Sequence, residues 1–136
     1  MSAPVISIAR AKATSASGQI AKGLREVATE LEPKEHGHGL STLPADVRKA
    51  ADFFERVRKD GAEGTSSIED DRWDAVVRLC DGAAVKSAEL TKNASDLRRA
   101  TELVSRIALA QQAAAKVDQI LDLAIQAVYL LRLGIS

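Results

Sequence analysis

The residues with the plainest ligand chemistry stand in one short run, Glu35-His36-Gly37-His38. Two imidazoles two positions apart in extended backbone point the same way, and with the Glu35 carboxylate they offer donors that a divalent metal accepts. The set goes no further. The chain has two histidines and one cysteine, Cys80, whereas a structural zinc takes about four protein ligands. We therefore read the run as part of a solvated loop and assign no metal and no other cofactor. Glu35, His36 and His38 are the metal candidates the sequence offers.

Acids gather at Asp60, Glu63, Glu69, Asp70, Asp71 and Asp74. Their spacing lacks the alternating oxygen ligands and closing glutamate of a calcium loop. Negative charge at this point complements the start of a helix, or docks a basic partner. Arg98, Arg99 and Arg106 are the natural counterions, within one molecule or between two. For nucleophilic catalysis there is only Cys80, placed on the apolar face of its helix, where a thiol acts as a small hydrophobe with a raised pKa. No glycine-rich phosphate loop, nucleophile elbow or His-Glu-x-x-His pair occurs. The expectation is a protein that is not an enzyme.

The elements that would position these residues are helices. From 3 to 31 the apolar residues Ile6, Ala9, Ala13, Ala16, Ile20, Leu24, Val27 and Leu31 recur at steps of three and four, one face of a helix. Pro4 suits its first turn, and Glu32-Pro33 ends it because the residue before proline leaves the α region. A loop over 32–43 follows. The second helix is expected over 44–59, with Val47, Ala50, Ala51, Phe54 and Val57 inward, and Asp60-Gly61-Ala62-Glu63-Gly64 as its terminator. Ser66 with Glu69 fits a capping box for a third helix over 68–91, burying Trp73, Val76, Val77, Cys80, Ala84 and Ala88. Trp73 is expected between helices two and three, near Phe53 or Phe54. A short turn over 92–95, with Ser95 as N-cap, leads to a fourth helix over 96–133; the absence of proline there leaves a continuous third and fourth helix open.

The last segment carries the strongest pattern. Between 97 and 133 there is neither Gly nor Pro, and one heptad frame sets Ala100, Ile107, Ala114, Leu121 and Val128 against Leu103, Ala110, Val117, Ala124 and Leu131. Such a helix would be about 55 Å long, longer than the roughly 35–40 Å diameter of a compact domain of this size. The fold expected is all-α: an elongated antiparallel bundle of about four helices in one domain, 1–136. Over 120–133 apolar residues lie on nearly every side of the helix. That pattern is met by burial within the bundle, by burial against a partner, or by lipid.

Composition excludes several classes. The chain has 136 residues, 19 basic and 19 acidic side chains, and a formal net charge of zero, which weakens any case for phosphate-backbone binding. Two Phe, one Trp and one Tyr are too few for stacking on single-stranded nucleic acid. No stretch reaches the ~18–20 apolar residues of a membrane span. Cytoplasmic synthesis is the default, with leaderless export allowed by the acid-free, Ser/Ala-rich start. We therefore expect a helical interaction or self-assembling subunit whose partner is itself or another helical protein. Its surface is expected at Ala110, Ala114, Val117, Leu121, Ala124, Ile125, Val128 and Leu131. In kind it is similar to helical subunits of bacterial secretion assemblies and filaments. The alternative is an exported membrane-active protein that lays the C-terminal helix on or in a bilayer.

Overall fold

A computed structural model of the chain describes residues 8–32, 42–63 and 70–133. The described residues form four helices: α1 (Ile8–Leu31), α2 (Leu43–Glu63), α3 (Asp70–Arg99) and α4 (Leu103–Leu133). They pack together as an all-α bundle. Each helix has two neighbours. α1 packs on α2 and α3, and α4 packs on α3 and α2, so α1 faces α4 and α2 faces α3 across the diagonals. Cross-links give the directions. Arg10, near the start of α1, reaches the Gly61 carbonyl near the end of α2 and lies over the Trp73 ring near the start of α3. Lys116 of α4 meets Glu89 of α3, while Gly82 lies beside Leu123. The bundle is thus two antiparallel hairpins, α1–α2 and α3–α4, with like-directed helices side by side.

Every helix buries a ridge stepped by three and four. In α1 it runs Arg10, Ala13, Ser17, Ile20, Leu24, Val27, Leu31. Val47, Ala50, Phe54, Val57 and Gly61 form the α2 ridge. The α3 ridge is Trp73, Val76, Cys80, Ala83, Leu90, Ala94, Leu97, and the α4 ridge Ala113, Val117, Ile120, Ala124, Ala127, Leu131. Alternating steps of three and four average 3.5 residues, close to the 3.6-residue turn, so the ridge stays on one face over many turns. All five apolar residues expected inward on α2 are buried.

Elsewhere the faces differ from expectation. On α3, Ala84 and Ala88 are exposed, Val77 is half-buried, and Ala83 holds the core position. Going from Cys80 to 84 to 88 by fours drifts about 40° per step away from the packed face; the structure steps 80, 83, 87, 90 instead. On α4 the Val117-Ala124-Leu131 line is buried, but the companion line is Ala113-Ile120-Ala127, one residue earlier than the heptad frame. Ala114 is exposed, Ile107 is 49% exposed and Leu103 68%. Trp73 is buried, yet α3 has α2 across the diagonal, and the ring lies under Arg10 of α1.

Two boundaries also move. α2 runs through Asp60-Gly61 to Glu63. Gly61 sits inside the helix because α1 passes so close that a Cβ there would fall 1.9 Å from Thr14 Oγ1. α3 runs through 92–95 to Arg99, and the chain breaks at 100–102. The Ala100 amide donates to the Asp96 and Leu97 carbonyls, and Arg106 N–H donates to Glu102 O as the first bond of α4. No proline or glycine forces this turn. It loses a few backbone hydrogen bonds of about 1 kcal/mol each. In return α4 folds back to bury its ridge, at about 1.5–3 kcal/mol per large aliphatic side chain. Pro4, the 33–41 part of the loop, and the Ser66–Glu69 capping box lie outside the described residues.

Candidate functional site

The metal candidates Glu35, His36 and His38 lie outside the described residues; among those described, no group of three or more His, Cys, Asp or Glu side chains is placed to hold a metal ion. Cys80 is fully buried on the α3 ridge. Burial first, and the neighbouring Asp81 charge second, push its thiol from 9.0 up to about 11. At neutral pH it is a protonated, inaccessible hydrophobe.

Ion pairs run along α1 and α2, and two further places gather polar side chains between helices. The first is the end of the bundle where α2 stops. Arg10, on the buried ridge of α1, donates from Nε to Gly61 O at 2.8 Å and from Nη2 to Asp60 O at 3.4 Å. Its guanidinium carbon is 5.6 Å from the Trp73 ring centroid. A cation on the last carbonyls of a helix opposes the negative end of its dipole, so Arg10 ties three helices together. An apolar-stripe reading passes over Arg10 and Ser17. The signal that finds them is the three-four spacing, which continues through both.

The second is a shallow groove between α3 and α4 lined by Glu89, Lys92, Asn93, Gln112, Ala115 and Lys116. Lys116 Nζ lies 2.9 Å and Lys86 Nζ 3.5 Å from Glu89 Oε2. The hydrogen bond from Lys116 is the main cause that holds the Glu89 carboxyl below its ordinary range. Likewise Glu55, bonded by Arg58 and near Arg25, is lowered. These carboxylates are already neutralised by cations, and neither place has an imidazole or an accessible thiol among the described residues. The arrangement cross-links helices.

The eight residues expected at an interface divide sharply. Val117, Ala124, Val128 and Leu131 are buried among the chain's own helices, and Ala110 and Leu121 are half-buried. Ala114 and Ile125 face solvent. The C-terminal stretch with apolar residues nearly all round is thus largely covered by its own bundle. No helix among the described residues is long and apolar enough to cross a membrane.

Among the described residues, the large hydrophobic side chains that remain exposed are Ile8, Val85, Leu103, Val104, Ile107, Ile125 and Tyr129. Five of them are on α4: Leu103, Val104 and Ile107 in its first turns, and Ile125 and Tyr129 further along on the side away from its buried ridge. The acids Asp60, Glu63, Asp71 and Asp74 lie at one end of the bundle, and Arg98, Arg99 and Arg106 at the other. Twenty-eight helical residues separate Asp71 from Arg99 in α3, about 42 Å. They cannot pair within one molecule.

Comparison with known proteins adds no assignment: no family model, no curated protein and no solved structure matches this chain.

Proposed function

We propose that the chain is a non-enzymatic helical association module, binding a second copy of itself or another helical protein through the outward face of α4. The observation that carries this reading is the distribution of exposed apolar side chains. One side of α4 supplies the core ridge, and the other presents Ile125 at 50% and Tyr129 at 61% exposure. Ala114 and Ala115 are exposed on the same side, where small side chains let a partner helix approach closely. Apolar side chains grouped on one face, with an aromatic among them, are the composition of an interface core.

Sedimentation velocity over a concentration series tests the proposal, with the I125S/Y129S double variant as comparison. The wild type should shift towards a larger species as concentration rises, and the variant should remain a monomer of unchanged helicity. A wild-type chain that stays monomeric throughout and retains no helical protein from its source would refute the assignment. A membrane-inserted 120–133 helix is disfavoured by burial of its ridge. Exposing it would require opening the bundle core.

A further inference from the structure

We propose that the tip of the α3–α4 hairpin is a docking site for anionic phospholipid surfaces, a property separate from the association face further along α4. Among the described residues, α3 and α4 extend past the ends of α1 and α2 here. Arg10 and Trp73 lie level, and α1 ends at Leu31. Counting the same distance along α3 brings Ala94 level with Leu31, so the end of α3 and the start of α4 project roughly 10 Å further. Burial follows this geometry. The last buried residue of α3 is Leu97, the first of α4 is Ala113, and everything from Thr101 to Ala108 is exposed.

The projecting tip has an unusual composition. Leu103, Val104 and Ile107 are 68%, 79% and 49% exposed, a group of aliphatic side chains left uncovered among the described residues. Around them stand Arg98 and Arg99 at the end of α3 and Arg106 on α4, all exposed. Among the described residues none of these guanidiniums pairs with a carboxylate; the one contact is Arg106 Nη1 donating to Ala100 O at 3.4 Å. Glu102 is the one acid between residues 98 and 107. Unpaired cations ringing an apolar point complement a surface that is anionic outside and hydrocarbon inside. Arginines bind the phosphate layer, while the aliphatic side chains reach the acyl boundary.

Shape favours lipid over protein. A stable protein interface engages about 20–30 residues a side, whereas the described part of this tip presents two helix ends and the short turn between them. A bilayer accepts a convex wedge and needs no matching groove. No span is required of α4, whose core ridge stays in place.

Vesicle flotation of the full chain tests the proposal, using phosphatidylcholine vesicles with and without phosphatidylglycerol. The wild type should float with the anionic vesicles, not with phosphatidylcholine alone, and added salt should weaken binding. R98Q/R99Q/R106Q should reduce anionic partitioning by about 100-fold, each arginine contributing roughly fivefold. L103S/V104S/I107S should reduce it by at least about tenfold. All six positions are exposed, so circular dichroism and thermal midpoints should stay close to wild type. I125S/Y129S should float normally even where it abolishes self-association, which keeps the two readings distinguishable. Three outcomes would overturn the proposal: no flotation of the folded wild type, equal flotation on both vesicles, or unchanged flotation of both tip variants. A tip variant that loses self-association while still floating would assign the tip to protein contact instead.

Discussion

Replacing Gly61 with alanine should force α1 and α2 apart. The added Cβ would sit 1.9 Å from Thr14 Oγ1, 3.1 Å from Thr14 Cβ and 3.6 Å from Thr14 Cα. Rotating Thr14 does not clear it, because a β-branched side chain has few helical rotamers and its Oγ1 donates to Arg10 O at 2.8 Å. Separating the helices also stretches the 2.8 Å bond from Arg10 Nε to Gly61 O. Overpacking costs about 1–3 kcal/mol, and weakening a charged hydrogen bond about 1.5–3 kcal/mol. The gain in helix propensity from glycine to alanine returns about 1 kcal/mol. The net expectation is a loss of about 2–4 kcal/mol, or roughly 10 °C in Tm for a chain of this length. Urea unfolding followed by helical circular dichroism measures it. Gly23 is the internal control, since a Cβ there meets nothing within 4 Å, and G23A should gain about 0.5–1 kcal/mol. T14A added to G61A removes the oxygen but keeps the Cβ contact, so it should restore part of the loss. A G61A protein as stable as wild type, beside a stabilised G23A, would refute the close α1–α2 approach.

Other substitutions probe the rotated faces and the buried polar groups. I120A should cost about 2–5 kcal/mol because Ile120 is 1% exposed, while I125A at a 50% exposed site should change urea stability by less than about 0.5 kcal/mol. Similar costs at both sites would place the ridge wrongly. Deleting 120–136 should unfold the bundle, visible as lost helicity, rather than merely release a partner. Ser87 occupies a ridge position with its Oγ buried and without a hydrogen-bond partner among the described residues, so S87A should raise the thermal midpoint by an amount equivalent to about 1 kcal/mol. Cys80 should resist a thiol reagent in the native protein and react on unfolding. Its thiol is raised from 9.0 to about 11, so the unfolded chain ionises first as pH climbs. Stability that is fully present below pH ~9 should then fall up to pH ~11, by at most about 3 kcal/mol. C80A should lack that component of the alkaline loss, and an identical alkaline profile would contradict the burial.

Fold class, helix count and the inner face of α2 are legible in the order of the residues. Repeats of three and four in apolar residues have one economical structural solution, and Val47, Phe54 and Val57 are large enough to declare a face. That order did not determine the faces of α3 and α4, and the reason is alanine. A single methyl group gains little by burial, so Ala83 and Ala84, or Ala113 and Ala114, are nearly equivalent as sequence. Only the neighbouring helices decide which of each pair goes inward. The same holds for Arg10, Ser17 and Ser87, polar residues that ride a buried ridge because the spacing puts them there. Tertiary structure also chose the turn at 100–102, where no residue type forces one, because folding back buries the α4 ridge. That choice covers most of the C-terminal helix and moves the exposed apolar surface to the outer side of α4 and the arginine-flanked tip.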